Sequence, residues 1–190
     1  MDFREIYDNH YLPVKRFISG MVGDAWAAED LTQDAFIKIK ENLDGLKDDV
    51  KLRPWIFRIA RNLCLDHFRR QATKKEKSQE GPRGKGEAVE PVAQAGLERH
   101  EMSTCVQDKI QLLPEALRSA LVLSDTMELR HQEIADILEI KVGNVKVRLH
   151  RARKALKEIL ECNCTFEHDE RNVMVCLPKP ITHIQQKPVQ

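Results

Sequence analysis

Apolar residues recur at helical spacing through most of this chain. Phe3, Ile6, Tyr7, Tyr11, Val14, Phe17, Ile18 and Met21 fall on one face of a first helix, which Pro13 is expected to interrupt or reset. Leu31, Ala35, Phe36, Ile39 and Leu43 make a second face, and Trp55, Ile56, Ile59, Ala60, Leu63 and Phe68 a third. Three such stripes suffice to close a small helical core. Further on, Val106, Ile110, Leu113, Leu117, Ala120, Leu121 and Leu123 predict supporting helices, with Pro114 opening the second of them.

The next two helices have a sharper signature. His131–Leu138 places Ile134, Ala135 and Leu138 on one side of a short amphipathic helix. After a tight connection over Ile140–Gly143, Val145, Leu149, Ala152, Leu156 and Ile159 recur at steps of four and three. Gly143 or Asn144 is expected to start this second helix. Two helices joined by about four residues read as a helix-turn-helix, whose second helix enters the major groove. Ala135 suits the close contact between them. Glu139 stands where a left-handed turn favours glycine, at a cost of roughly 1 kcal/mol.

The pattern lapses twice. Thr73–Ser103 contains Gly81, Gly84, Gly86, Gly96, Pro82 and Pro91, no aromatic residue and few large apolar ones. It buries too little to offset its chain entropy and reads as a flexible linker. Its Gly81–Gly86 run lacks the order of a phosphate loop and follows no strand. Glu161–Gln190 is polar, irregular and too short to be a third domain by itself. The expected architecture is all-α: a helical domain over 1–72, a linker over 73–103, a helix-turn-helix domain over 104–161 and a tail over 162–190.

Charge changes this picture at two places. Lys141–Lys157 holds seven lysines and arginines, one histidine and no acid, in a chain of formal charge +1. Lys146, His150, Arg153 and Lys157 repeat along a face opposite the apolar stripe, with Val147, Arg151 and Lys154 beside them. Solvated helix faces usually mix both signs, so a one-sign face on a recognition helix points to nucleic-acid phosphate. The second place is Arg53–Arg70, where five arginines face only Asp66. Trp55, Phe57, His67 and Phe68 interleave with them. Charge that tracks a backbone and rings that stack on bases suit single-stranded or melted DNA. Core burial is the competing account for the rings, and the favoured one for Trp55 and Phe68.

Charged residues make up 32% and aromatic residues 5%, in keeping with a helical, soluble protein. No apolar run approaches the ~18 residues of a membrane span, and MDFREIYDNHY lacks the apolar core of a signal peptide. The five cysteines are an odd number, expected as thiols in a cytoplasmic setting. Cys162, Cys164, His168 and Cys176 crowd the tail and match the donor set of a thiophilic metal: zinc, copper(I) or cadmium. Incidental reduced thiols are the alternative. Glu29, Asp30, Gln33 and Asp34 sit on the first turns of a helix, where acids complement the dipole or offer an edge to a partner protein. There is no nucleophile-and-base pair and no HExxH, and an enzyme is not expected.

The strings AEDLTQDAFIKI, RPWIFRIARNLCLDHFRR, LPEALRSALVL and VGNVKVRLHRARKAL, in this order and spacing, resemble regions 2 and 4 of bacterial extracytoplasmic-function sigma factors. The resemblance covers about residues 3–160. It implies a promoter-specificity subunit of RNA polymerase. Asp30, Gln33, Asp34 and Phe36 would dock on the β′ clamp helices, and the second domain would meet the β flap. Arg53, Trp55, Arg58, Arg61, Asn62, Arg69 and Arg70 would melt and read the −10 element. Asn144, Lys146, Val147, His150 and Arg151 would approach −35 bases, with Arg148, Arg153 and Lys154 on phosphates. Val147 and His150 offer thymine-methyl or single hydrogen-bond readout rather than a bidentate grip on guanine. Some family members carry a cysteine-rich metal-sensing extension, and others answer to an anti-sigma factor. A conventional repressor would share the helix-turn-helix but need neither the docking helix nor the melting segment.

Overall fold

The computed structural model describes residues 2–46, 51–77, 105–168 and 174–179. Three helices build the first unit: α1 (Phe3–Val22), α2 (Ala25–Asn42) and α3 (Leu52–Lys77). Asp2 caps α1 by accepting from the Arg4 amide at 3.1 Å. Gly23 closes it at φ 73°, where a Cβ would also lie 2.8 Å from the Gln111 side chain. Asp24 then caps α2 by accepting from the Ala27 amide at 2.7 Å. Ile6, Val14, Phe17, Ile18 and Met21 of α1 are buried against Leu31, Ala35, Phe36 and Ile39 of α2. From α3 come Ile56, Phe57, Ala60, Leu63 and Cys64. Each large side chain so buried contributes about 1.5–3 kcal/mol.

Pro13 does not interrupt α1, which runs unbroken through it. The ring forgoes one helical bond, to the carbonyl of Asn9, but the apolar stripe continues on both sides and packing outweighs the loss. Phe57 is core rather than a stacking platform, edge-to-face on Phe17 at 5.5 Å and 87°. Helix α3 also runs through residue 77, past the expected domain boundary at 72; the rest of the expected linker up to 104 lies outside the described residues.

The second unit comprises a helical stretch over 105–110, then α4 (Glu115–Leu121), α5 (His131–Leu138) and α6 (Val142–Asn163). Helix α4 passes directly into a π-helical turn over Val122–Thr126, closed by the Met127 amide donating to the Val122 carbonyl at 3.1 Å. The Arg130 amide donates to Glu133 Oε2 at 2.9 Å and fixes the start of α5. Glu139 adopts the left-handed conformation expected of it, at φ 55°. The recognition helix begins earlier than expected, at Val142, so the connection is only Glu139–Lys141. Asn144 is therefore not a cap but a residue of the first turn. Val145, Leu149, Ala152 and Ala155 are buried against α4 and α5, and Ala135 is buried between the helices.

The tail is more regular than its composition suggests. Helix α6 leads straight into an antiparallel ribbon, β1 (Cys164–His168) with β2 (Met174–Pro178), in which Cys164 faces Pro178 and Phe166 faces Cys176.

Candidate nucleic-acid interface

Helix α6 is held by its buried stripe so that Asn144, Lys146, Val147, His150, Arg151 and Lys154 all stand exposed. Val147 is 48% exposed on this otherwise basic face, an apolar group available to a thymine methyl. Arg153 is placed differently. Its guanidinium forks onto Asp125, Nη2 to Oδ1 at 2.6 Å and Nε to Oδ2 at 3.1 Å, bracing α6 against the π turn. That hydrogen bond holds the Asp125 carboxyl below its ordinary value and raises Arg153. Arg148 is half-buried, on the side of α6 nearer α3.

The basic face of α3 divides along its length. Asn62, Arg69 and Arg70 are exposed, with Arg69 Nη1 on Asp66 Oδ1 at 3.1 Å. Arg53, Trp55, Arg58 and Arg61 instead turn toward the second unit. Arg53 Nη2 donates to the Met127 carbonyl at 3.1 Å, and Nη1 lies 3.8 Å from Glu133. Arg58 Nη2 donates to the Asp136 carbonyl at 2.9 Å, and Nη1 lies 3.4 Å from Glu139. Trp55 lines a cleft of about 610 Å³ between Pro54 and Arg58 on one wall and Ala135, Glu139 and Ile140 on the other. Burial holds the Arg61 guanidinium below its ordinary pKa, with Arg148 acting in the same direction and Glu115 against it. The Nε atoms of Arg58 and Arg61 are buried without a hydrogen-bond partner among the described residues.

Sequence reasoning missed the residue that joins the two units. Arg118 Nη1 donates to the Met21 carbonyl at 2.6 Å and to Gln111 Oε1 at 2.8 Å, while Nη2 serves the carbonyls of Gln111 and Leu113 at 2.6 and 3.0 Å. Its guanidinium also lies over Phe68, 5.5 Å from the ring centre. Gln111 Nε2 donates to the Gly20 carbonyl at 2.8 Å. The last carbonyls of α1, left without helical partners, are thus satisfied from the second unit. A lone arginine inside the apolar run EALRSALVL was the available signal.

On α2, Asp30, Gln33 and Asp34 are exposed along one edge. Phe36 is not available beside them. It is buried edge-to-face on Tyr7 at 4.9 Å, so the expected docking edge reduces to its three polar members. Glu29 is engaged by the Tyr11 hydroxyl at 2.9 Å and by Lys15. In the tail, Cys162 is exposed at the end of α6 and Cys164 is buried at the start of β1. The side chains of His168 and Cys176 lie outside the described residues, and no three ligating side chains converge on a metal position among those that are described.

Two family models match the chain: sigma-70 region 2 over residues 6–74 and sigma-70 region 4 over 103–156. The RNA polymerase sigma factor SigZ of Bacillus subtilis is 32% identical over 89% of the chain and 93% of its own length. The extracytoplasmic-function sigma factor SigW of the same organism is 34% identical over 83% of the chain and 88% of its own. The chain is an extracytoplasmic-function sigma factor. As such it binds RNA polymerase core and directs promoter-specific initiation at −10 and −35 elements. The fold agrees with that of RpoE of Bartonella quintana, solved with the anti-sigma factor NepR, at a TM-score of 0.72 and 24% identity over 84% of this chain and 97% of that one. Region 2 of the sigma factor is the α1–α3 unit, and region 4 is the unit ending in α6. Among the described residues, no helix is long and apolar enough to cross a membrane.

Proposed function

We propose that this sigma factor divides promoter reading between the two basic helices at the level of individual residues. Helix α6 reads the −35 duplex with Asn144, Lys146, Val147, His150 and Arg151, while Arg148 and Lys154 hold phosphates. Helix α3 captures the −10 strand with Arg53, Trp55, Arg58, Arg61 and Asn62, and Arg69 and Arg70 steer the backbone. Asp30, Gln33 and Asp34 dock on the β′ clamp helices, and region 4 meets the β flap. The observation that carries this reading is the exposure of a largely basic face on α6, interrupted by Val147 and anchored by a separate buried stripe. Two weak DNA-binding units held at fixed spacing by polymerase recognise a promoter jointly, through raised effective concentration.

Run-off transcription with purified core polymerase tests the assignment. Asp34→Lys is expected to lower affinity for core without lowering thermal stability, since the side chain is exposed. Lys146→Ala with Arg151→Ala is expected to abolish dependence on the −35 sequence while core binding persists. Equal use of wild-type and scrambled −35 promoters by the unsubstituted protein would overturn it.

The protein works in the cytoplasm, and an anti-sigma factor is its proposed antagonist, a reading supported by its likeness to sigma factors solved with NepR and CnrY. The tail reading, a thiophilic metal on Cys162, Cys164, His168 and Cys176, rests on the donor set alone. Metal titration of a Cys164→Ser variant in the transcription assay decides it; an unchanged metal response refutes it.

A further inference from the structure

Helix α2 buries Ala28, Leu31, Thr32, Ala35, Phe36 and Ile39, and its opposite edge is exposed. Asp30, Gln33 and Asp34 stand on that edge, and two apolar side chains frame them. Trp26 lies one turn before Asp30 and Ile37 one turn after Gln33, so positions 26, 30, 33 and 37 follow one face at steps of four, three and four. Trp26 is 84% exposed and Ile37 55%. Tryptophan has more apolar surface to bury than most side chains and is usually well covered. Here it sits in the first turn of α2, outside the core. Among the described residues no ring and no cation packs on it.

Single exposed apolar groups are ordinary on a protein surface. Two of them at the ends of one polar edge, on the helix assigned to polymerase, form a continuous strip with it. At 1.5 Å per residue the strip is about 16 Å long. We propose that Trp26 and Ile37 are apolar anchors for RNA polymerase core, buried against it at either end of the strip, while Asp30 and Asp34 between them steer the encounter. The inference rests on placing this edge of α2 on polymerase, as above.

The two kinds of group act on different rates. Exposed carboxylates act at a distance, so they set association and are screened by salt. A ring gains only once it is desolvated in the complex, so it sets dissociation with little response to salt. Because the Trp26 ring adds nothing to the core of region 2, its truncation leaves folding unchanged. A loss of affinity is then a loss of contact.

The experiment measures association and dissociation of the full chain on immobilised core polymerase at low and high salt, with melting temperature recorded for each variant. Trp26→Ala is expected to dissociate about thirtyfold faster at both salts, the effect of a binding hot spot of about 2 kcal/mol. Its association rate and melting temperature should match the wild type, and Trp26→Phe should keep most of the residence time. Ile37→Ala is expected to dissociate about fivefold faster, and the double variant about 150-fold, since sites this far apart add in free energy. Asp34→Lys should instead slow association at low salt and converge on the wild type at high salt. Wild-type dissociation by Trp26→Ala overturns the proposal, as does a change confined to association or a matching fall in melting temperature. If Trp26→Ala dissociates faster but Asp34→Lys associates normally at every salt, the anchors stand and the steering role of the carboxylates fails. If neither variant weakens binding, this edge of α2 is not on polymerase and both readings fail.

Discussion

Arg118 and Met21, 97 residues apart in sequence, are joined by a 2.6 Å hydrogen bond from the guanidinium of one to the backbone carbonyl of the other. Region 2 thereby ends its first helix on a side chain of region 4. Since the same guanidinium serves three further acceptors, its loss leaves several half-buried carbonyls unpaired. Arg118→Ala is expected to lower stability to urea by about 2–3 kcal/mol. Arg118→Lys should recover less than half of this, because an ammonium cannot reproduce the fork. Full recovery of wild-type stability by Arg118→Lys would show that charge rather than geometry matters.

The Asp125–Arg153 pair has a pH signature. Hydrogen bonding to Arg153 holds the folded carboxyl below its ordinary value of 3.8. A group with a depressed folded pKa stabilises the protein above its unfolded pKa, and the contribution fades as pH falls through the folded value. Both side chains are substantially exposed, so screening limits the effect to about 0.5–1 kcal/mol. Wild type should therefore exceed Asp125→Asn in melting temperature at pH 7 and match it near pH 2. A difference that persists undiminished in acid would exclude the carboxylate as its cause.

The same pair separates two arginines that look alike in sequence. Arg151 is exposed on the face proposed to meet DNA, whereas Arg153 is already committed to Asp125. In a salt titration of −35 duplex binding, Lys154→Ala, at a proposed phosphate position, should flatten the log–log slope by about 0.9. Arg153→Ala should flatten it much less. An equal loss would mean that Arg153 leaves Asp125 for phosphate.

The helical stripes, the helix-turn-helix and the left-handed Glu139 were all legible along the chain, because each depends on neighbours within one or two turns. The destination of Arg53 and Arg58 was not, since their partners lie 74 and 78 residues away and leave no local periodicity. Phe57 was misjudged for a related reason. An aromatic between arginines has the composition of a stacking surface, and only the position of Phe17 across the bundle makes it core. Pro13 marked a break by local rules that the tertiary packing of α1 overrode.

Thiol chemistry should follow burial. Desolvation pushes the Cys64 thiol up to about 12, so it holds almost no thiolate near neutrality, whereas Cys162 is exposed. A maleimide at pH 7.5 should modify Cys162 in the native protein and reach Cys64 only on unfolding. Mass spectrometry of the native reaction is the check, and early labelling of Cys64 would mean that region 2 opens readily.

Glu139 holds a backbone conformation that suits glycine and at the same time pairs with Arg58 across the contact between the two regions. Replacing it by glycine would relieve roughly 1 kcal/mol of turn strain and release one tie between the regions. Turn geometry and the tie between the regions thus pull against each other on a single residue. A screen that rewards only heat resistance would drift toward chains whose two regions are less firmly tied together.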